Sequence, residues 1–529
     1  MDLIEAALLL LVMTTIAVPW ARRIGLPTEI LLVLGSLALS LLPGLPPLVL
    51  DPTVVFKVFL PPILLFGAFF TSWRDFKRNH LAVFLLAFGL VLFTTAIVAV
   101  AMRALGLGVS WPVAFLLGAI VSPPDASAAT AVIKKLGVPR RLLTIIEGES
   151  LVNDATALVA YRLALGAIAT GSFSLGDAAM RFVLVCAGGV AVGLIVGGVG
   201  IFILKRLDDS TAETTSILIT SFVAYLCAER LGFSGVISTV TMGLYFGRRL
   251  PALTAAQSRL EGIAFWKTLL FIINGLVFTL IGLQMPAVIK GLHGYSWQQL
   301  TVYGSTVVFV VIAVRFVWIF PATYLSRKLF PSIASEEPAP RWGAVTALSW
   351  VGMRGIVSLA AALSIPLSLP SGAEFPFRDL LVFLTYVVIL ATLLIPATTL
   401  PWLMRQLGVK DGGETRHDEA VARLALFRAV LRELDSLKQS SSFSDELLEN
   451  TALRFKRRVQ VLQENTKPGA FSPIFNEERS MKQLRERVLK AERNELERLR
   501  QQATIHDAVF FELNRELDIE ETLLQDQRI

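Results

Sequence analysis

Residues 111–130 read WPVAFLLGAIVSPPDASAAT, an apolar run that two adjacent prolines interrupt. Proline lacks an amide donor and clashes with the preceding helical turn, so we expect the helix to break near Ser122. Non-helical backbone is tolerated at membrane depth only where it is buried in protein or lines an aqueous cavity. Discontinuous helices of this kind mark ion sites in secondary transporters. Asp125 follows the break directly, where it either serves an ion site or caps the next half-helix.

The whole chain has the composition of a membrane protein. Charged residues make up 17% of its 529 residues, whereas soluble chains average about 25%. A hydrocarbon core of about 30 Å requires about 20 apolar residues in a helix. On that scale the sequence predicts an all-α, polytopic membrane protein with thirteen candidate spans, near 3–19, 27–43, 51–70, 81–103, 111–134, 141–170, 180–204, 211–229, 234–247, 262–289, 298–325, 342–369 and 379–404.

The charged residues are concentrated at the C-terminal end. Residues 405–529 contain 22 basic and 23 acidic residues, whereas residues 1–404 contain 27 and 19. We therefore predict a transmembrane domain over 1–404 and a helical cytoplasmic domain over 405–529. Apolar residues spaced by three and four from Val421 to Leu434 indicate an amphipathic helix there. Such helices either pack on one another or have a regulatory or dimer-contacting role.

Loop charges predict the orientation of the chain. With the N-terminus outside, the loops that face the cytoplasm contain 17 basic residues and the others contain five. The positive-inside rule then places the C-terminal domain in the cytoplasm, and we expect a multi-pass protein of the inner membrane. Met1–Glu5 has no basic region, which predicts a retained first span and not a cleaved signal. Because the body's excess positive charge lies in short loops, no nucleic-acid partner is expected.

Four carboxylates lie inside apolar sequence, where they are costly and usually functional. They are Asp125, Glu147, Glu149 and Asp154. Residues three and four apart share a helix face, so Glu147, Ser150 and Asp154 form one stripe. Glu149 and Asn153 form a second stripe, rotated away from the first. The alternative is that these polar groups only hold neighbouring helices together.

The first stripe has the chemistry of a site for a hard monovalent cation. Ser150 and Asp154 could ligate one Na⁺ between them, because such cations favour carboxylate, hydroxyl and carbonyl oxygen. An unpaired carboxylate in a low dielectric tends to take up a proton instead. One aspartate that binds either ion is sufficient to couple their movements.

The basic side chains of the apolar sequence need partners. Arg354 lies between Gly352 and Gly355, which allow close backbone approach or a second helix break. A guanidinium there should not remain unpaired, so we predict a structural ion pair between Arg354 and Glu149. Two further arginines either stabilise the fold or face an aqueous path, namely Arg162 and Arg315.

Residues 148–154 read GESLVND, which closely resembles the Gly-Glu-Ser-Leu-x-Asn-Asp signature of the sodium/proton exchangers of the monovalent cation:proton antiporter-1 family. Residues 60–65 (LPPILL), residues 352–355 (GMRG) and the Pro124–Asp125 pair also resemble family segments in the right order. The resemblance covers about residues 1–405. It implies thirteen spans in two inverted six-helix repeats, a crossing of broken helices and a homodimer in the lipid bilayer.

The resemblance also implies roles for the residues of the site. Asp154 would exchange Na⁺ and H⁺, Asn153 would support the site and Ser150 would be a hydroxyl ligand. The break around Pro124 and Asp125 would supply backbone oxygen. Glu149 with Arg354 would be the structural ion pair.

The chain departs from the family pattern at two places. Where the family often has Asp or Glu in the third span, this chain has Phe66-Gly67, so an acidic ligand or gate residue is absent there. Pro124 stands where relatives often have a different residue. Ion selectivity could differ accordingly.

The sequence therefore predicts a secondary antiporter without a cofactor, and not an enzyme, that exchanges Na⁺ (or K⁺ or Li⁺) for H⁺ by alternating access. Asn153-Asp154 offers one titratable carboxylate, which predicts electroneutral one-for-one exchange unless Glu147 or Asp125 titrates with it. A cation channel would need a continuous pore and usually a separate filter, and no repeated filter-like loop is visible. A membrane enzyme lacks support because the sequence has no nucleotide motif or His/Cys cluster. A sensor that uses the tail would not explain the buried carboxylates.

Overall fold

The computed structural model describes most of the chain. The described residues are 12–17, 19–21, 23, 28–40, 51–125, 130, 133, 140–171, 174–250, 253–292, 294–329, 340–369, 371–409, 414–439, 443–465, 473–502, 513–514, 516–517 and 519–521. Within them, regular structure is helical apart from one isolated bridge between Ser368 and Glu374.

The first half of the transmembrane part is a series of apolar helices with short connections. Its helices are α1 (Val12–Ala21), α2 (Thr28–Ser40), α3 (Pro52–Phe70), α4 (Trp73–Arg78), α5 (His80–Ala104), α6 (Trp111–Val121), α7 (Arg140–Thr170) and α8 (Leu175–Leu204).

The second half continues in the same manner up to residue 406. Its helices are α9 (Ser210–Arg230), α10 (Gly235–Arg249), α11 (Ala256–Leu283), α12 (Met285–Lys290), α13 (Trp297–Leu329), α14 (Trp342–Trp350), α15 (Ile356–Leu363) and α16 (Arg378–Gln406). Polar side chains begin several of them; for example, Asp209 and Ser234 each accept a backbone N–H bond at the starts of α9 and α10.

Eight helices in the described part are long and apolar enough to cross a membrane. The all-α, multi-span fold class predicted from the sequence is therefore confirmed. Three shorter apolar helices, α1, α2 and α6, fall on further candidate spans. The count of thirteen stays a prediction, because the other candidates are short, interrupted or partly outside the described residues.

Two of the candidate spans are interrupted by non-helical backbone. Helix α6 ends at Val121, and residues 122–125 are not helical, which confirms the break predicted near Ser122. Residues 351–355 likewise separate α14 from α15. The expected cap by Asp125 on a second half-helix falls on residues 126–129, which lie outside the described residues.

The transmembrane helices pack mainly within two groups. One group contains α5, α6, α7, α13, α14, α15 and α16, which include both interrupted spans. The other contains α2, α3, α8, α9, α10 and α11. Contacts between the groups are fewer and come chiefly from α7 with α10 and from α15 with α3 and α11.

Helix α13 is joined to α5 by a hydrogen bond to a π-helical turn within α5. Residues Leu85–Leu90 form this π-helical turn, an irregularity within the helix. The indole Nε1 of Trp318 donates to the carbonyl of Leu85 at 3.0 Å. Gly89 lies against the same indole ring and leaves no space there for a Cβ atom.

The chain divides into two compact units, Met1–Asp411 and Gly412–Ile529. The second contains α17 (Glu414–Gln439), α18 (Asp445–Asn465) and α19 (Pro473–Gln501). Helices α17 and α18 pack on each other, with the rings of Phe427 and Phe455 5.7 Å apart. The regulatory or dimer-contacting role of this part stays a prediction.

We expect Gly118→Ala to destabilise the transmembrane unit, because a Cβ atom there would overlap the backbone of Thr95 on α5. Overpacking of this kind typically costs about 1–3 kcal/mol. The measurement is the thermal unfolding midpoint of the protein purified in detergent. Gly198→Ala is the matched control, since Gly198 also lies in a helix but has nothing within 4 Å of the added atom. Equal midpoints for the two variants would contradict the packing of α5 against α6.

Candidate functional site

The two interrupted spans meet at their non-helical segments. The backbone N–H of Asp125 donates to the carbonyl of Met353 at 2.7 Å. The carboxylate of Asp125 lies directly over Gly355, where a side chain would collide with it. Gly355 therefore has a close-approach role, as its position in the motif predicted. One backbone hydrogen bond thus joins the break after α6 to the break between α14 and α15, and we call this junction of residues 122–125 and 351–355 the crossing.

Asn153 ties α7 to the first of these breaks. Its side chain is fully buried, and its Nδ2 donates to the carbonyl of Pro124 at 2.6 Å. Its Oδ1 has no hydrogen-bond partner among the described residues. The carbonyl of Pro124 belongs to the non-helical segment after α6, so a side chain from another helix satisfies it.

Asp154 follows Asn153 and is partly buried. In the described part of the chain its carboxylate makes no hydrogen bond and no ion pair. It is close enough to Asp125 for the two carboxylates to repel each other. Ser150 and Glu147, which precede it on the same helix face, are partly buried and have interactions of their own. The structure therefore brings Asp125, Asn153 and Asp154 together at the crossing.

Glu149 forms its buried ion pair with Arg315, so the pairing predicted with Arg354 is wrong. Nη1 and Nη2 of Arg315 donate to Oε1 and Oε2 of Glu149 at 2.8 and 3.3 Å. Each of these side chains is only 2% exposed. This two-bond arrangement matches the planar guanidinium to the planar carboxylate. It joins α7 to α13.

The same guanidinium also caps the first half of the twelfth span. Nη2 of Arg315 donates to the carbonyl of Leu348 at 3.2 Å, and Nε donates to that of Ser349 at 3.3 Å. These two carbonyl groups belong to the last turn of α14. They have no helical partners, because the helix ends there. Gly352 makes room for this arrangement, because a Cβ atom there would collide with the Arg315 side chain.

Arg354 is buried at the crossing without the predicted partner. Its side chain is 1% exposed, and none of its guanidinium nitrogen atoms has a hydrogen-bond partner within the described residues. Its backbone N–H donates to Oγ1 of Thr392 at 3.2 Å, which fixes the non-helical segment 351–355 to α16. Its positive charge is repelled by Arg315 and attracted by Glu149. Two arginines therefore lie around one glutamate.

Arg162 lies outside this cluster. Its Nη2 forms an ion pair with Glu229 at 2.6 Å, and the two side chains are 49% and 27% exposed. Glu229 also accepts a bond from the backbone N–H of Gly235. Arg162 therefore joins α7 to the connection between α9 and α10 and has a structural contact, one of the two alternatives that the sequence left open.

The described residues include no group of three or more His, Cys, Asp or Glu side chains arranged to hold a metal ion. The donors that the structure brings to the crossing are instead carboxylates and backbone carbonyl groups, and Ser150 lies one turn before Asp154 on α7. This is oxygen chemistry suited to a weakly held, transported monovalent cation, which would be a substrate and not a resident cofactor.

The family model for the transmembrane sodium/hydrogen exchangers matches residues 8–406. An uncharacterised Na⁺/H⁺ exchanger of Mycobacterium tuberculosis strain H37Rv is 34% identical over 508 residues, which cover 95% of this chain and 92% of the relative. The chain belongs to the sodium/hydrogen exchanger family, and it is a multi-span membrane transporter.

Two further comparisons extend this assignment. A sodium, potassium, lithium and rubidium/H⁺ antiporter of Bacillus pumilus is 31% identical over 485 residues, covering 88% of this chain and 69% of the relative. The structure of the sodium proton antiporter MjNhaP1 from Methanocaldococcus jannaschii matches with a TM-score of 0.61 at 20% identity. That match covers 76% of this chain and 98% of the other, and it supports the fold.

We expect a double-mutant cycle to detect the coupling between Glu149 and Arg315. Removing either partner leaves a buried charge alone, which costs about 3–5 kcal/mol. Glu149→Gln and Arg315→Gln should therefore each lower the thermal unfolding midpoint, and the double variant should lose less than the sum. Arg162→Gln is the control, because a half-exposed pair contributes about 1 kcal/mol or less.

The parallel cycle of Glu149→Gln with Arg354→Gln separates the two pairings. Its coupling should be weaker, because Arg354 donates no hydrogen bond to Glu149. Stronger coupling in this second cycle than in the first would reject the pair of Glu149 and Arg315.

Proposed function

We propose that this protein is a secondary antiporter that exchanges Na⁺ for H⁺ and that Asp154 is the group binding either ion. The observation that carries the proposal is the position of Asp154. It is a partly buried carboxylate, without an ion pair in the described part of the chain, next to two crossed helix breaks. A carboxylate in such a place is costly unless it binds an ion or a proton.

The neighbouring residues have supporting roles in this proposal. Ser150 contributes a hydroxyl ligand from the preceding turn of α7, and Asp125 adds negative charge across the crossing. Asn153 holds the break in place through the carbonyl of Pro124. Glu147 is an accessory carboxylate on the same face of α7 as Asp154. The ion pair of Glu149 and Arg315 keeps its own charges neutral throughout the cycle.

The range of cations is part of the proposal. The Bacillus pumilus relative is named for transport of sodium, potassium, lithium and rubidium. This chain has Phe66 and Gly67 where a carboxylate would be usual in the third span, and Gly67 packs against the side chain of Leu151. Fewer carboxylate ligands favour a site that selects weakly by size, so we propose Na⁺ as the main substrate with K⁺ and Li⁺ as further ones.

Alternating access is supported by the packing of the helices in two groups. The group that contains the crossing meets the other group through few helix pairs. A movement of one group against the other would expose Asp154 to either side while keeping the crossing intact. We include in the proposal a homodimer in the inner membrane, an N-terminus outside and a cytoplasmic C-terminal unit, which family membership and the loop charges support.

We expect Asp154→Asn to abolish exchange without unfolding the protein, because an amide neither ionises nor releases a proton near neutral pH. The measurement is proton efflux from proteoliposomes when Na⁺, K⁺ or Li⁺ is added outside. Asp177→Asn is the matched control, since Asp177 is an exposed carboxylate in the first turn of α8. Na⁺-driven proton movement by Asp154→Asn at the wild-type rate would reject the assignment.

We expect the exchange to be electroneutral, because one carboxylate that carries either one Na⁺ or one H⁺ has the same charge in both loaded forms. Proteoliposomes held at zero and about −100 mV by a gradient of a permeant anion, in buffer without K⁺, test this, since that potential is worth ~2.3 kcal/mol per charge moved. Equal final pH gradients at both potentials are the expected result. A shift with voltage would instead indicate a second proton carrier, with Glu147 as the first residue to substitute. Current without proton exchange would indicate a channel.

A further inference from the structure

A cavity of about 570 Å³ lies at the boundary of the transmembrane unit, away from the crossing. The end of α3, the start of α9, the end of α10 and the start of α11 enclose it. The loops at this boundary belong to the set that is rich in basic residues. None of the residues assigned to cation exchange lines the cavity.

The cavity contains a buried carboxylate with an unsatisfied oxygen. Glu213, in the first turn of α9, is 7% exposed and lines the cavity wall. Its Oε2 has no hydrogen-bond partner among the described residues. Buried carboxylate oxygens are almost always hydrogen-bonded, and one left alone costs the full desolvation of the group. The cavity therefore lacks a hydrogen-bond donor at this point.

The rim of the cavity has the opposite charge. Arg74, Arg248 and Arg259 line it from three different segments. Arg259 donates to the carbonyl of Thr254, which holds that side chain at the rim. Arg74 and Arg248 are exposed. A guanidinium group recognises phosphate through two parallel hydrogen bonds, and three of them at one opening favour an anionic ligand group.

Aromatic rings line the remaining wall. Trp266 is buried, whereas Phe70 and Trp73 are 47% and 41% exposed, so the cavity extends to an apolar outer surface. Tryptophan side chains are enriched where headgroups meet acyl chains. The ligand that fits therefore has an amine donor for Glu213, a phosphate for the arginines and an apolar portion for the rings.

We propose that this cavity binds one aminophospholipid, with the primary ammonium of its headgroup on Glu213 and its phosphate on Arg74, Arg248 and Arg259. Its acyl chains leave the cavity along Phe70 and Trp73. A phosphatidylethanolamine fits this description. A choline headgroup has no N–H to donate to Glu213, and a glycerol headgroup has no positive charge. The cavity should therefore discriminate between headgroups that carry the same phosphate.

The test is native mass spectrometry of the delipidated full-length protein with lipids of identical acyl chains. Phosphatidylethanolamine should bind roughly tenfold or more tightly than phosphatidylcholine or phosphatidylglycerol, as expected for one charge-assisted hydrogen bond. Equal binding of the three lipids by the wild-type protein would overturn the proposal, whatever the variants do. Equal binding of free phosphoethanolamine at the same concentration would overturn the assignment to a lipid.

Two substitutions locate the site. Glu213→Gln should remove the preference for phosphatidylethanolamine over phosphatidylcholine, and Arg248→Gln should weaken the binding of both. Arg230→Gln is the matched control, because Arg230 is also exposed in the last turn of a helix but does not line the cavity. An unchanged preference in Glu213→Gln would place the lipid elsewhere. The assay measures binding and not transport, so its result is independent of the proposed exchange activity.

Discussion

The buried ion pair between Glu149 and Arg315 is the interaction on which the arrangement around Asp154 depends. A carboxylate and a guanidinium group at membrane depth are each expensive, and they are stable there only when their hydrogen bonds are satisfied. Arg315 meets this condition by bonding to Glu149 and to two carbonyl groups at the end of α14. One side chain therefore fixes the helix that carries Asp154 and also stabilises the end of an interrupted helix.

The two interrupted spans form one connected element of the structure. Asp125 bonds to Met353 across the crossing, and Asn153 bonds to the carbonyl of Pro124. The helix α7, the break of the fifth span and the break of the twelfth are therefore linked by hydrogen bonds. A movement that preserves these bonds must carry all three together, which agrees with the packing of their helices in one group.

The sequence was sufficient to predict the elements of the site but not all of their partners. Hydropathy predicted the eight long apolar helices, and two prolines located the break near Ser122. Periodicity also placed Asp154 and Asn153 on two different faces of one helix, because spacing along a helix determines which side chains share a face. Gly352, two residues before Arg354, was misleading about the partner of Glu149. Gly352 does permit close approach, but the group that approaches is the side chain of Arg315.

The partner of Glu149 depends on how α13 is placed beside α7. That placement is determined by packing between helices, which spacing along one helix does not predict. Arg315 lies 166 residues from Glu149 in the chain and within an apolar helix of 33 residues without a local motif. Only its isolation as a charge in apolar sequence could have indicated a buried partner. Likewise, no sequence pattern pointed to Met353, whose contribution is a backbone carbonyl group.

The hydrogen bond from Trp318 to Leu85 fixes the height of the ion pair relative to α5. Trp318 lies three residues after Arg315 on α13, so holding the indole on α5 also holds the guanidinium at a constant height. Helix α13 has 33 residues, or about 50 Å at 1.5 Å per residue, which exceeds a hydrocarbon thickness of about 30 Å. Its two ends can therefore tilt, fray or change in length to suit bilayers of different thickness, while the charge at its centre stays in register with Glu149.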